Sequence, residues 1–362
     1  LAALLIVASC SGDDDAAADV TAPATDSVST DEPATTAPSA ETTPTQPDAT
    51  PATTAPPESP ATTVAPTTAA PETTAPEADE RTIIALDEQA ALHLLSLGIT
   101  PTTVLTTLSS EVFAALNGQL GIDTVEFIIA EPSFELLASL SPDLLVGIAN
   151  PFLVQRADEY EAIAPLAVAP LDGTWQEQLR AIAGDVDAAE RADAVIAAIE
   201  DVQFGANEIL GDAGATGTSV SVMTVRLGNV LAVTSGGATG RVLTDAGLAR
   251  PDAQAVEGSP GIPFVPVAEE NLGDHDADLV LVASGGAFDL QPLLDSPIYA
   301  QLDAVERGDT YEVVGDAWVL GGTALATYWV LTDLVRLLVD DRPPATLDDA
   351  AEQWADFLTR IG

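Results

Sequence analysis

The sequence contains no lysine, one cysteine and two histidines among its 362 residues. All 11 basic residues are arginines, against 57 acidic residues, and the formal net charge is −46. This excess of negative charge argues against nucleic-acid binding and against a polybasic membrane contact. The single cysteine, Cys10, cannot form an intramolecular disulfide. Because His93 and His275 are the only imidazoles, we expect no bare-metal site and no cofactor.

Signatures of catalysis are also missing. No glycine-rich phosphate-binding loop is followed by a lysine, since the chain has none. The segment Val233–Gly237 is the nearest approach to a nucleophile elbow, and it lacks the leading glycine. His93 lies in an apolar helical stretch, and the Asp274–Asp276 triplet predicts a solvated turn. We therefore predict a binding protein with no catalytic and no metal-ligating residues.

The first ten residues are apolar and end in Val7-Ala8-Ser9-Cys10, which is typical of the end of a secretory signal. The run resembles the lipobox of bacterial lipoproteins, and this implies that Cys10 becomes the lipidated N-terminus. The alternative is an ordinary signal peptide with a chance cysteine. Residues 1–10 are thus interpreted as a truncated lipoprotein signal peptide. We expect a protein held by its lipid anchor on the extracytoplasmic face of the membrane.

Residues 11–80 consist almost entirely of Thr, Ala, Pro, Ser and acidic residues. Such a segment cannot bury enough apolar surface to offset chain entropy, so we predict a disordered acidic linker. Its Thr-Thr-Ala-Pro repeats favour extended polyproline conformations. The linker is interpreted as a tether for the domain that follows. That remainder holds 43 acidic and 11 basic residues, a charge of −32.

From residue 81 onward, short apolar strands alternate with helical stretches, which indicates an α/β fold with largely parallel sheets. Asp185–Leu210 has apolar residues at helical spacing with no Pro or Gly before Gly205. Uninterrupted, this helix would be about 39 Å long, the span of a whole lobe. We predict two Rossmann-like lobes, residues 81–184 and 212–362, joined by one helix over 185–211. The ligand cleft is expected between the lobes, and the closing helices in the second lobe.

One segment occurs twice. Glu135 is followed eight positions later by Asp143, and Glu270 is followed eight positions later by Asp278. Each copy predicts a short helix with a leading glutamate, a turn and a buried strand. A unit repeated at this distance indicates two lobes of similar construction.

This order of elements resembles the substrate-binding lipoproteins of iron-siderophore, haem and cobalamin importers, the type III periplasmic binding proteins of ABC transporters. The stretches that carry the resemblance include Thr82–Asp87, Glu135 with Pro142–Leu145, Ser221–Arg226 and Gly240–Pro251. It implies capture of a ligand between the lobes and its delivery to a membrane permease. The expected partners are an ABC transporter permease and a small-molecule chelate carrying a ferric ion. We expect the receptor to be a monomer.

In that family, a glutamate at the outer tip of each lobe pairs with permease arginines, and Glu135 and Glu270 match these positions. Two carboxylates on separate rigid lobes would dock a basic partner at two points. Glu269 competes with Glu270, although the eight-residue spacing favours Glu270. The alternative is that both acids stabilise helix N-termini.

Candidate ligand contacts follow the predicted strands, because ligands of open α/β sheets bind beyond the carboxyl ends of strands. Asn150, Phe152 and Arg156 follow one strand, Arg226 follows the next lobe's first strand, and Trp318 follows a later one. Arginines with an aromatic wall suit a bulky anionic chelate.

Alternatives stay open for these residues and for the ligand. Arg156 could pair with Asp158 or Glu159 on the surface, and Trp318 could pack in the core. The arginines favour an anionic chelate, whereas the −32 charge of the domain disfavours one at long range. A neutral hydroxamate complex is therefore also compatible. A cobalamin or haem receptor and a ligand-sensing lipoprotein without transport are the other hypotheses.

Overall fold

The computed structural model describes residues 81–107, 110–259, 262–285, 289–320 and 322–362. Cys10 and the linker of residues 11–80 lie outside the described residues, so the signal peptide, lipidation and disorder stay predictions. No helix in these described ranges is long and apolar enough to cross a membrane.

The N-terminal lobe is a five-stranded parallel sheet in the order β3-β2-β1-β4-β5. Its strands are β1 Ile83–Ala85, β2 Thr103–Thr106, β3 Asp123–Glu126, β4 Leu144–Ile148 and β5 Leu166–Ala169. Its helices are α1 Glu88–Ser96, α2 Glu111–Leu120, α3 Phe134–Ser139, α4 Pro151–Gln155, α5 Ala157–Glu161 and α6 Trp175–Asp185. The sequence predicts one helix over 154–164, and the structure instead has α4 and α5, which meet at Arg156.

A second five-stranded sheet, in the order β10-β9-β6-β7-β8, follows the helix α7 Ala189–Asp212. Its strands are β6 Val220–Arg226, β7 Asn229–Val233, β8 Phe264–Pro266, β9 Leu279–Ser284 and β10 Thr310–Val314. Strands β10, β9 and β6 are parallel, whereas β7 and β8 are antiparallel. The helices are α8 Ala238–Asp245, α9 Gln291–Leu294, α10 Asp303–Arg307, α11 Ala324–Leu338 and α12 Ala350–Ile361. The α/β class with two mostly parallel sheets is thus confirmed.

The helix between the lobes, α7, has 24 residues and starts later than the sequence predicts. Helix α6 continues to Asp185, and the chain then turns at Asp187, whose φ is +57°. Aspartate tolerates this left-handed conformation because its short polar side chain can bond locally. Gly205, by contrast, lies inside α7 and does not interrupt it. The prediction of one long connecting helix is confirmed, with a shifted start.

The duplicated segment has the same structural role in both lobes. Asp143 directly precedes β4 and accepts a hydrogen bond from the N–H of Thr82, which directly precedes β1, at 2.8 Å. Asp278 directly precedes β9 and accepts from the N–H of Ser219, which directly precedes β6, at 2.9 Å. In each lobe the aspartate therefore links the N-terminal ends of two neighbouring parallel strands by a hydrogen bond. Strands β1 and β4 correspond to β6 and β9.

The apolar core runs through both lobes. One cluster joins Val146 of β4, Ile196 of α7, Leu281 of β9 and Phe357 of α12 with their buried neighbours. Two smaller clusters lie on the outer faces of the sheets. Helix α12, near the C-terminus, packs against both α7 and α2 of the N-terminal lobe. The closing helix therefore returns to the first lobe, and the two lobes share buried surface.

Candidate ligand-binding cleft

The carboxyl edges of the two sheets face each other. Asp316, just beyond β10, accepts a hydrogen bond from the N–H of Val112 in the first turn of α2 at 3.1 Å. The carboxylate of Glu111, also in α2, lies against Gly285, just beyond β9, so closely that a Cβ there would overlap it. The strand-end loops that usually form a ligand site therefore meet between the lobes.

A cavity lies at the floor of this cleft, between helices of both lobes. Its apolar wall includes Leu92 of α1 and Trp329 of α11, and its polar wall includes Glu88, Gln89 and Asp316. Its volume is about 40 Å³, so it admits only water-sized groups and is far smaller than a typical ligand pocket of roughly 300–1,000 Å³. None of the predicted contacts Asn150, Phe152, Arg156 and Arg226 lines it. Glu88 is buried and accepts from the N–H of Thr107 at 3.1 Å, so its carboxylate is held by the loop after β2.

Burial raises the pKa of Asp316 above its ordinary value, while the hydrogen bond from Val112 lowers it. Desolvation is the larger cause, as expected for a carboxylate confined between two lobes. The nearby Glu111 also raises the pKa. A positively charged or hydrogen-bonding ligand group entering here would find acidic acceptors, not cations.

An amide network connects the lobes beneath the cavity. The side-chain amide of Gln89 donates to Gln178 Oε1 at 2.9 Å and to the carbonyl of Gly322 at 3.2 Å. His93 Nε2 lies 3.2 Å from the same Gln178 oxygen. Burial lowers the pKa of His93 to about 4, so the ring is neutral at physiological pH and donates through Nε2. His93 is therefore a packed hydrogen-bonding residue.

His275 differs from its predicted setting. It is buried instead of lying in a solvated turn, and Gln254 Nε2 lies 3.2 Å from its Nδ1. The reason is that the 3-10 helix Glu269–His275 turns this side chain toward the sheet. In the part of the chain that the structure describes, no group of three His, Cys, Asp or Glu side chains could hold a metal ion.

Asn150 and Phe152 lie at the end of β4, where the sequence predicts a cleft wall. Asn150 is the N-cap of α4, and its Oδ1 accepts from the N–H groups of Phe152 and Leu153, both at 3.0 Å. Phe152 is half-buried. The capping bond fixes the entry of α4, which is typical of an asparagine at this position.

Arg156 has an ionic partner on its own lobe. Its Nε and Nη2 donate to the two carboxylate oxygens of Glu159, each at 2.8 Å. The guanidinium also lies 4.5 Å from the ring centroid of Phe134. The hydrogen bonds that Arg156 donates to Glu159 raise the pKa of the guanidinium. A ligand would have to compete with a bidentate surface pair or bind Arg156 through its remaining N–H groups.

Arg226 is the last residue of β6 and pairs with Asn229 across a two-residue hairpin turn. It is half-buried, and no carboxylate among the described residues forms an ion pair with it. Trp318, in contrast, is fully buried in the π-helix Asp316–Leu320, and its indole N–H donates to Asp333 at 2.9 Å. Of these two candidates, Arg226 keeps an available cation and Trp318 packs in the core.

The two candidate docking glutamates occupy matching positions. Glu135 is the second residue of α3, and Glu270 is the second residue of the 3-10 helix Glu269–His275. Both are exposed. The carboxylate of Glu269 is engaged by the hydroxyl of Ser296 at 3.0 Å. Position and hydrogen bonding therefore both favour Glu270 over Glu269 as the counterpart of Glu135.

Sequence reasoning missed the residues that join the lobes. Asp316 stands two positions before Trp318 in the same loop after β10, so its place at a strand end was a usable signal. The contact between Glu111 and Gly285 and the bond from Gln89 to the carbonyl of Gly322 carry no local pattern. They depend on how the two sheets face each other.

Comparison with known proteins places these features in context. Residues 129–317 match the family model described as periplasmic binding protein. The chain is 26% identical over 271 residues to the probable siderophore-binding lipoprotein YfiY of Bacillus subtilis, covering 71% of this chain and 82% of the relative. It is 25% identical over 273 residues to the achromobactin-binding periplasmic protein of Dickeya dadantii, covering 70% and 85%.

Among solved structures, the fold is similar to that of FhuD2 from Staphylococcus aureus with bound ferrioxamine B. The TM-score is 0.60 at 18% identity, covering 71% of this chain and 98% of FhuD2. This likeness supports the two-lobed architecture with its connecting helix.

Proposed function

The chain belongs to the periplasmic binding protein family, and on that premise we propose that it captures a ferric siderophore and delivers it to an ABC transporter permease. The observation that carries the proposal is the pair of facing strand-end edges, in a chain whose curated relatives are described as siderophore-binding and achromobactin-binding. The family consists of binding proteins, and we propose no enzymatic activity and a monomeric receptor.

We propose Asn150, Phe152 and Arg226 as ligand contacts, with Arg156 as a further contact once its pair with Glu159 opens. Arg226 is the principal candidate because its guanidinium has no ionic partner among the described residues. Charge-assisted bonds from a guanidinium to chelate oxygens are stronger than neutral ones. Trp318 is not proposed as a ligand contact, because its side chain is completely buried in the core.

The test is a fluorescence titration of the purified domain with ferric catecholate, ferric hydroxamate, ferric citrate, haem and cobalamin. The four tryptophans of the chain supply the emission, and a ferric chelate bound between the lobes should quench it. We expect saturable quenching by at least one ferric siderophore. Arg226→Gln should weaken its affinity by at least about tenfold, because an arginine bond is worth about 1.5–3 kcal/mol. Arg180→Gln removes an exposed surface pair and serves as the control. Saturation by haem or cobalamin alone would refute the siderophore proposal.

We propose Glu135 and Glu270 as the permease-docking residues. The double variant Glu135→Ala, Glu270→Ala should keep its affinity for the chelate, because both side chains are exposed and lie in α3 and in the 3-10 helix. Cellular uptake should fall at least about tenfold, since rim charges govern association with a partner. Glu269→Ala is the matched control. Unchanged uptake by the double variant would refute the docking role of the two glutamates without affecting the proposal of ligand capture.

We further propose that Cys10 carries the lipid anchor, a proposal supported by the description of the Bacillus subtilis relative as a lipoprotein. In cells, Cys10→Ala should move the protein from the membrane fraction to the soluble fraction. Retention in the membrane fraction would contradict lipidation at this residue.

A further inference from the structure

Leu227 has an unfavourable backbone conformation. It forms the two-residue turn between β6 and β7 with Gly228, and the φ angles of the two are +51° and +75°. Positive φ at both positions is what a type I′ hairpin turn requires, and Asn, Asp or Gly normally supply it. A leucine pays a steric cost there without a side-chain hydrogen bond to offset it.

No other large apolar side chain shares this conformation in the described ranges. The remaining non-glycine residues with positive φ are Ser141, Asp187 and Asp341, all short and polar. Leu227 is also 76% exposed, the highest value among the exposed large apolar residues described. Folding therefore gains little from a leucine at this turn, and backbone strain of this kind is concentrated at functional sites.

The turn lies at the edge of the second lobe that faces the first. Thr224 pairs with Ala283, so Leu227 is three residues beyond the pair on β6, while Gly285 is two residues beyond it on β9. Gly285 meets Glu111 of α2. The hairpin tip is thus one strand away from a direct contact between the lobes.

The symmetry of the lobes indicates what lies opposite. Strand β1 corresponds to β6 and β4 to β9, so the neighbour of β1 on its other side, β2, corresponds to β7. At one end of the cleft, the helix after β2 meets the loops after β9 and β10. Applied to the corresponding elements, this contact would place the loop after β4, which carries Asn150 and Phe152, opposite the β6–β7 hairpin.

We propose that Leu227 is a specificity-determining ligand contact, which packs on the apolar face of a chelate whose oxygen atoms are bound by the adjacent Arg226. The proposal rests on the proposed siderophore-binding function and adds a ligand class. This class comprises ferric chelates with an aliphatic or aromatic surface next to their oxygen donors. A small, fully polar chelate such as ferric citrate offers no such surface.

The test compares three variants with the wild-type domain by thermal unfolding and by the fluorescence titration. Leu227→Asn should raise the Tm by about 2 °C, because asparagine tolerates positive φ. It should also weaken binding of the best siderophore about tenfold, as loss of most of a buried leucine contact predicts. Leu227→Met, which keeps an apolar side chain, should stay within about threefold of the wild type.

Asp341→Gly is the matched control, since it relieves positive φ beyond the C-terminal end of α11. Trp329 is the cavity-lining residue of α11 nearest to that end, about 14 Å away from it. This control should leave the affinity unchanged. Equal affinity of Leu227→Asn and the wild type would overturn the inference, as would an equal loss for Leu227→Met and Leu227→Asn. A wild-type domain that binds none of the siderophores would instead refute the proposed function.

Discussion

The two lobes start alike and diverge after their first strand. In the N-terminal lobe, β1 leads into α1 and the chain returns as the parallel strand β2, so the edge carries a helix N-terminus with Asp87 and Glu88. In the C-terminal lobe, β6 turns directly into the antiparallel β7, and the same place carries Arg226 and Leu227. At this position the first lobe therefore holds two buried carboxylates, and the second has a half-buried arginine and an exposed leucine.

The largest difference between the lobes concerns the helix that follows the second strand. Each of these helices, α2 and α8, contains one glycine. An added Cβ at Gly240 of α8 would overlap the carbonyl oxygen of Thr234 and lie 2.6 Å from Ser235 Cα, whereas Gly118 of α2 has nothing within 4 Å. Gly240→Ala should cost about 3 kcal/mol or more, because backbone cannot move aside cheaply. Urea unfolding measures this loss.

Gly118→Ala is the control for that prediction, and its sign is opposite. It should stabilise the domain by about 0.5–1 kcal/mol, since alanine loses less backbone entropy in a helix. Similar effects of the two substitutions would show that the tight contact in the second lobe is not a real constraint.

Buried carboxylates give the second comparison. Burial raises the pKa of Asp87 in the first lobe to about 6 and that of Asp333 in the second to about 7, from an ordinary value of 3.8. At a pH between the ordinary value of 3.8 and the raised value, the folded protein binds more protons than the unfolded chain. Stability is therefore highest below about pH 4 as far as these groups are concerned, and it falls as the pH rises toward 7.

Asp333→Asn should remove this carboxyl's share of the fall, which extends from about pH 4 to about pH 7 and amounts to about 4 kcal/mol. At pH 4 the variant should be less stable than the wild type. The two oxygens of Asp333 accept from Trp318 and Ala345, and an amide cannot accept with its nitrogen. Urea unfolding from pH 4 to pH 8 measures both effects. If the unfolding free energy of the wild type rose over this range, and rose with the same slope in the variant, the raised pKa of Asp333 would be contradicted.

The duplicated aspartates give the smallest expected difference. Asp143 accepts one hydrogen bond from Thr82, whereas Asp278 accepts from both the N–H and the hydroxyl of Ser219. Asp143→Ala should cost about 1 kcal/mol and Asp278→Ala about 2 kcal/mol, at roughly 1 kcal/mol per bond. Thermal unfolding can rank the two variants. A larger loss for Asp143→Ala would mean that the two ties are not equivalent.

Strand and helix alternation made the fold predictable from sequence, because apolar periodicity is local information. The aspartates at 143 and 278 identified corresponding places in the two lobes. The break between α6 and α7 was not predictable, because the chain turns at Asp187 and no glycine or proline marks the turn in the sequence.

The candidate site was harder to predict, since side-chain direction and long-range pairing decide it. Trp318 follows a strand, as a ligand contact would, yet its indole N–H bonds to Asp333 fifteen residues later and the side chain is buried. The pair of Arg156 with Glu159 was one of two stated alternatives, and only the geometry selects it. The β6–β7 hairpin lacks an Asn-Gly or Asp-Gly signal because Leu227 stands in that place.

The apolar core that crosses beneath the cleft makes the two lobes depend on each other for stability. Because Phe357 of α12 and Ile196 of α7 share one buried cluster with strands of both sheets, either lobe expressed alone would expose a large part of that cluster to water. The duplicated halves are consequently no longer separable folding units. A single lobe would be stable in water only if another surface, for instance that of a second copy of itself, covered this cluster.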